Sequence, residues 1–135
     1  MSTQEIDVIV PDGYKPGKKE RDVAWILARH FCTKVEILRP VNKFKQKTAD
    51  FLINGVEYEL KTPTSSSVDK VQDKIAEGSK QARFIVLDGR RTKILDKRLI
   101  KICQVTIGDV RRINRILLIT KNHQKIIDIE CEGQV

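Results

Sequence analysis

An Asn54-Gly55 pair between two alternating segments constrains the fold of this chain more than any other feature. Asn-Gly flanked by alternating apolar residues is the strongest short-range signal for a two-residue type I′ turn. The flanking segments are residues 49–53 and 56–61. A two-residue loop also fixes the register, so residues whose numbers add up to 109 lie opposite each other. The sequence therefore predicts a β-hairpin over 49–61.

The two faces of this hairpin differ in chemistry. Alternation puts apolar or aromatic side chains on one face, which we expect to be core: Ala49, Phe51, Ile53, Val56, Tyr58 and Leu60. The other face carries Asp50 opposite Glu59, with Lys61 two residues further along the strand. Because like charges directly opposite each other are destabilising, a partner should offset them. Mg²⁺ or Mn²⁺ would do so, since both favour carboxylate oxygens, and Lys61 would then stabilise charge on a phosphate.

Glu20 adds a third carboxylate from a predicted helix. Val23, Leu27 and Phe31 recur every four positions, which is typical of an amphipathic helix over residues 18–32. Glu20 stands at the head of that apolar face. Two interpretations are open: the carboxylate belongs to a metal site or its surroundings, or it complements the helix dipole as a first-turn acid.

Strands and helices alternate along the rest of the chain. Turn signals at 11–13 and 16–17 mark residues 1–17 as a flexible arm with a short strand at 6–10. The elements expected after the arm are a helix at 18–32, a strand at 35–38, the hairpin, a helix at 68–81, a strand at 84–87, a helix at 95–104, and strands at 116–120 and 125–129. This order predicts an α/β fold, with a central mixed β-sheet flanked by helices in a single domain over 18–135.

Positive charge is concentrated in one segment. The net charge is +8, and residues 80–125 alone hold 13 Lys and Arg against 3 Asp and Glu. Such a lopsided field is typical of a nucleic-acid binder, although solvated charge that keeps a protein soluble is the alternative. With only 5% aromatic residues, we do not expect a surface that stacks many bases. No apolar run approaches the roughly 18 residues of a membrane span and no signal peptide is visible, so we expect no membrane and a cytoplasmic location.

The cysteines do not indicate a disulfide scaffold or a zinc site. A disulfide scaffold needs an even number of cysteines, and a zinc site needs pairs of closely spaced ligands. This chain has three cysteines that lie far apart in the sequence: Cys32, Cys103 and Cys131. We therefore expect three reduced, mostly buried thiols.

The hairpin and the helix together resemble a known nuclease superfamily. Asp50 followed by Glu59-Leu60-Lys61 on the next strand, after a helix bearing Glu20, resembles the PD-(D/E)xK motif. Ala49 stands where that motif has proline, which carries no chemistry there. Within the superfamily the chain resembles the C-terminal tRNase toxin domains of contact-dependent growth inhibition (CdiA-type) proteins. The segments that carry this likeness are 20–27, 48–63 and 75–87.

The resemblance implies a restriction-endonuclease-like core with a metal site. By it, Asp50 and Glu59 would bind Mg²⁺ or Mn²⁺, Lys61 would be the catalytic lysine, and Glu20 the helix-borne acid. It further implies delivery by a larger carrier, action in the cytoplasm of a target bacterium, and a cognate immunity protein that blocks the site.

Three functions are compatible with these features, and the first is the leading hypothesis. It is a metal-dependent endoribonuclease toxin domain that cleaves tRNA. A DNA endonuclease of restriction or repair type would use the same site. The sequence barely separates these two hypotheses, because phosphate contacts carry no sequence information. A non-catalytic, basic nucleic-acid-binding module would instead leave the acidic hairpin face merely solvated. The candidate contacts to a nucleic-acid backbone are Lys80, Arg83, Arg90, Arg91 and Lys93. The oligomeric state stays open.

Overall fold

The computed structural model describes residues 5–40, 48–122 and 125–131 of the chain. These residues contain β1 (Asp7–Ile9), α1 (Lys18–Phe31), β2 (Lys34–Ile37), β3 (Phe51–Ile53), β4 (Val56–Lys61), α2 (Val68–Gly78), β5 (Phe84–Asp88), α3 (Asp96–Asp109), β6 (Arg115–Ile119) and β7 (Ile126–Glu130). Two compact units can be distinguished, Met1–Tyr58 and Glu59–Val135. Each is described by itself.

The first unit is a mixed sheet on which α1 packs. Strand β1 pairs in parallel with β2, and β2–β3 and β3–β4 are antiparallel. Helix α1 contacts β1 and β2, and it buries Val23, Ala24 and Leu27 completely, as the four-residue spacing predicts. The predicted strand within the arm is confirmed as β1. Pairing with β2 therefore makes this part of the arm an element of the sheet.

The hairpin forms with the predicted turn and register. Asn54 and Gly55 have φ angles of 50° and 80°, both in the left-handed region that a type I′ turn requires. The paired residues are Phe51 with Tyr58, Leu52 with Glu57, and Ile53 with Val56. On the predicted core face, burial is complete or nearly so for Ala49, Phe51, Ile53 and Tyr58, and partial for Val56 and Leu60. Local turn chemistry therefore fixed both the position and the register of this element.

The second unit also contains parallel and antiparallel pairs. Strand β5 is parallel to β6, and β6 is antiparallel to β7. Helix α2 packs on β5, and α3 packs on α2, β6 and β7. Large apolar side chains from these elements and from the connection between α3 and β6 form the core, among them Val71, Ile75, Ile85, Leu87, Leu99, Ile102, Ile113, Ile116 and Leu118. The predicted α/β class with mixed strand pairing is confirmed.

Two helices differ in length from the prediction. Helix α3 runs to Asp109 rather than 104, because its buried spacing continues through Thr106 and Ile107. Helix α2 ends at Gly78 rather than 81. The chain then tightens, with the Gln81 amide donating to the Gly78 carbonyl at 2.9 Å, a three-residue spacing typical of a helix end. Glycine is a poor helix former, which explains the early end.

Three further sequence predictions concern the division of the chain, the connection at 121–124 and membrane spans. The division into an arm (1–17) and one domain (18–135) stays a prediction, because compact units are not the same as independently folding domains. Residues 123–124 of the predicted 121–124 connection lie outside the described residues. Among the described helices, none combines the length and the apolar character needed to cross a lipid bilayer.

The cysteines differ more in exposure than the sequence predicts. Only Cys103 is buried, whereas Cys131 is half-buried and Cys32 is exposed at the end of α1. Burial raises the pKa of the Cys103 thiol to about 12, so almost none of it is thiolate at pH 8. The expectation of mostly buried thiols is therefore wrong.

We predict that iodoacetamide at pH 8 alkylates Cys32 within minutes and leaves Cys103 unmodified until the protein is unfolded. Peptide mass mapping with and without urea measures this order. Equal rates for Cys32 and Cys103 in the folded protein would contradict the burial described for α3.

Candidate active site

Strand β4 places Glu59 and Lys61 together in the second unit. Lys61 Nζ lies 3.5 Å from Glu59 Oε2. Glu59 is only 4% exposed and the Lys61 side chain 16%. Because residues two apart on a strand project from the same face, the Glu-x-Lys spacing itself creates this pair. An isolated buried carboxylate is costly, and the nearby ammonium offsets that cost. The interpretation of a merely solvated acidic face is wrong for Glu59.

Helix α2 contacts the same lysine from its last turn. Glu77 Oε1 lies 3.8 Å from Lys61 Nζ. A Cβ atom built on Gly78 would lie 3.3 Å from both Cγ and Cε of Lys61, so the aliphatic stem packs directly on this glycine. Lys61 is therefore held at its head by two carboxylates and along its stem by a helix end.

The charge of Asp50 acts on Glu20 in the first unit. Burial, and next the negative charge of Asp50, raise the pKa of Glu20, and a hydrogen bond from Tyr14 partly opposes that rise. The Tyr14 hydroxyl donates to Glu20 Oε2 at 3.2 Å. Asp50 is half-buried, and its amide donates to the Tyr58 carbonyl at 3.0 Å. Glu20 also lies in the first turn of α1, so both interpretations of its role stay predictions.

Tyr14 contacts the predicted site residue Glu20, a contact that sequence analysis missed. A tight turn carries it, with the Tyr14 amide donating to the Pro11 carbonyl at 3.2 Å and Gly13 at a φ of 77°. The Arg39 guanidinium donates to the Asp12 carbonyl and ties this turn to the end of β2. The turn signal was visible in the sequence, but nothing local indicates that the residue after it reaches Glu20. Burial and both acids raise the pKa of Tyr14, which keeps its hydroxyl a donor.

The four predicted residues divide between the units. Glu20 and Asp50 belong to the first, and Glu59 and Lys61 to the second. Within residues 5–40, 48–122 and 125–131, no group of three or more His, Cys, Asp or Glu side chains is placed to hold a metal ion. A cation site built from these residues would therefore use fewer than three such side chains.

The predicted basic contacts fall into two classes. Four of them are exposed: Lys80, Arg83, Arg91 and Lys93. Arg90 is different, because its Nε and one terminal nitrogen donate to the two carboxylate oxygens of Asp88, each at 2.9 Å. Asp88 is 0% exposed and the Arg90 side chain 16%. Arg90 therefore compensates a buried charge at the end of β5, a role that no sequence pattern indicated.

Comparison with known proteins identifies the family of this chain. Residues 47–125, more than half of the chain, match the family model described as the contact-dependent growth inhibition CdiA C-terminal domain. The chain belongs to this family. The matched region includes the hairpin with Glu59 and Lys61, helices α2 and α3, and strands β5 and β6. The resemblance to CdiA-type domains is confirmed.

A solved structure shares the fold of this CdiA C-terminal domain. It is the "CdiA-CT/CdiI toxin and immunity complex from Burkholderia pseudomallei", with a TM-score of 0.68 and 17% sequence identity. The likeness covers 92% of this chain and 98% of that chain. At this identity it shows the α/β fold alone. A search of curated proteins finds no match.

Proposed function

We propose that this CdiA C-terminal domain is a metal-dependent endoribonuclease toxin that cleaves tRNA. The observation that carries the proposal is the buried Glu59 carboxylate beside the half-buried Lys61, with Nζ 3.5 Å from Oε2. Phosphodiester cleavage builds negative charge on a phosphate, and a fixed cation beside the reacting group stabilises that charge. A solvated strand face would not bury a glutamate, and the Lys61 ammonium is a cation of the kind that phosphate chemistry needs.

A divalent cation fits the donor chemistry of this proposed site. Asp50 and Glu59 would hold Mg²⁺ or Mn²⁺, because carboxylate oxygens are the ligands that these cations favour. Mg²⁺ is usually bound by one or two carboxylates together with waters and phosphates. When bound, the cation supplies positive charge that lowers the pKa of a water nucleophile.

The remaining roles belong to side chains of this chain. Lys61 would stabilise charge that develops on the phosphate. Glu20 would accept a proton from the attacking water as a general base. Tyr14 would orient Glu20 through the 3.2 Å hydrogen bond from its hydroxyl.

The exposed basic side chains would hold the RNA backbone. These are Lys80, Arg83, Arg91 and Lys93. Such contacts supply affinity that falls with salt and do not read sequence. Arg90 would contribute indirectly, by holding Asp88 at the end of β5. DNA in place of RNA is an outcome of the experiment below.

A cognate immunity protein is the second part of the proposal. The similar Burkholderia pseudomallei structure is a complex of a toxin with its immunity protein, and its toxin fold extends over almost the whole of this chain. We expect an equivalent protein to block the site around Glu59. The domain would act in the cytoplasm of a target bacterium after delivery by a larger carrier.

One incubation tests the activity. The purified chain is mixed with total tRNA or with plasmid DNA, each with Mg²⁺, Mn²⁺ or EDTA. We expect discrete tRNA fragments with either metal and none with EDTA, read on a denaturing gel. Nicked plasmid with intact tRNA would assign a DNA endonuclease. Salt-sensitive tRNA binding without cleavage under any condition would instead assign the non-catalytic binding module.

A further inference from the structure

The end of helix α2 surrounds Lys61 on two sides. The carboxylate of Glu77 lies 3.8 Å from the ammonium, and Gly78 lies under the aliphatic stem. A Cβ atom on Gly78 would come within 3.1 Å of Ile85 Cδ1 as well as 3.3 Å of two Lys61 carbons. Contacts this short leave no room for a methyl group unless Lys61 or Ile85 moves by a few tenths of an ångström.

The same helix end carries negative charge that Lys61 compensates. Helix C-termini carry partial negative charge, which basic side chains in the last turn usually offset. The last turn of α2 has no basic residue and adds the negative Glu77. Lys61, from β4 in the same unit, supplies the positive charge. The helix end and the lysine therefore stabilise each other.

The helix end is itself fixed by hydrogen bonds. The Ser79 amide donates to the Ile75 carbonyl at 3.1 Å, and the Lys80 amide donates to the Glu77 carbonyl at 3.2 Å. Lysine side chains have many rotamers and otherwise extend towards water. A rigid surface that contacts both stem and head is what confines such a side chain.

We propose that Gly78 and Glu77 are positioning residues that hold the Lys61 ammonium beside Glu59. Gly78 acts by lacking a side chain, which lets the lysine stem lie flat on the helix. Glu77 acts as the outer of two carboxylates, and it sets the direction of the ammonium. The consequence for catalysis rests on the proposed nuclease function, whereas the placement of Lys61 does not.

Gly78→Ala tests the role of the glycine, with Gly108→Ala as its matched control. Gly108 is the second-last residue of α3, and nothing lies within 4 Å of a Cβ atom built on it. We expect Gly78→Ala to lower kcat for tRNA cleavage by about tenfold. A misplacement of about 1 Å costs about a hundredfold in rate, and the shift required of Lys61 is a few tenths of an ångström. KM should stay within about twofold, because the RNA-binding side chains are unchanged. Gly108→Ala should change neither constant.

Glu77→Gln gives a second test that does not threaten the fold, because Glu77 is exposed. The change removes the charge and keeps the shape. We expect a loss of a few-fold in kcat with KM unchanged, as for a group that acts through another. Asp73→Asn, at another exposed acid of α2, is the control and should have no effect.

Reductive methylation with peptide mass mapping reads the position of Lys61 without any nuclease assay. In the wild-type chain we expect Lys61 to react more slowly than the exposed Lys80, and Gly78→Ala to raise the Lys61 rate selectively. Unchanged labelling and kcat in both Gly78→Ala and Glu77→Gln would overturn the proposal, as would equal losses in Gly108→Ala. Raised Lys61 labelling in Gly78→Ala, with no cleavage by the wild type, would support the positioning while refuting the nuclease function.

Discussion

Replacing Glu59 with glutamine is expected to reduce tRNA cleavage by about two to three orders of magnitude, the usual loss when one electrostatic group of an active site is removed. Glutamine keeps the volume of this buried side chain and removes its charge. A neutral amide is a poor ligand for Mg²⁺ and no longer attracts the Lys61 ammonium 3.5 Å away. The measurement is the initial rate of tRNA cleavage at saturating Mg²⁺. Circular dichroism should show a folded domain, since Lys61 retains Glu77 as a partner.

The matched control is Glu57→Gln on the same strand. Glu57 lies two residues before Glu59 and is exposed, so it shares the strand and the sequence chemistry but not the burial. Its substitution should leave the cleavage rate within about twofold of wild type, as expected of a surface change away from the site. Wild-type cleavage by Glu59→Gln, or equal losses in the two variants, would refute the assignment of this hairpin as the active site.

The hairpin was predictable because its information is local. Asn54 and Gly55 determine the turn, the turn determines the register, and the register decides which side chains share a face. Strands β5 and β6 were predictable for a related reason, since continuous apolar runs are typical of buried strands. Sequence pattern does not show how deeply a side chain is buried. Glu57 and Glu59 look alike in the sequence, and only packing makes one exposed and the other buried.

Residues that act through tertiary contacts were missed for the same reason. Tyr14 follows an evident turn, but its contact with Glu20 depends on how the arm packs on α1. Asp88 directly follows the strand predicted at 84–87, and its pairing with Arg90 became visible only in three dimensions. Charge counting alone placed Arg90 with its exposed neighbours as a phosphate contact. The structure distinguishes exposed basic side chains from Arg90, whose charge is paired within the fold.

Arg90→Met is accordingly expected to lower the free energy of unfolding by about 3 kcal/mol, because removing one partner of a buried ion pair leaves an uncompensated charge. Asp88 is completely buried and would lose both guanidinium hydrogen bonds, each 2.9 Å long. Only the Arg90 backbone amide, 3.1 Å from Oδ1, would still donate to it among these contacts. The measurement is urea denaturation, in which the midpoint should fall while the slope stays constant.

Arg91→Met separates stability from RNA binding. Arg91 is exposed, so its loss should change stability by no more than about 0.5 kcal/mol. If it contacts a phosphate, the slope of log affinity against log salt should fall by about one unit.

A further variant, Arg90→Met with Asp88→Leu, removes both charges and should recover much of the lost stability, since apolar replacements of a buried pair are often neutral. If Arg90→Met is as stable as wild type but binds tRNA weakly, Arg90 contacts the RNA. The charge of Asp88 would then be compensated by its other contacts.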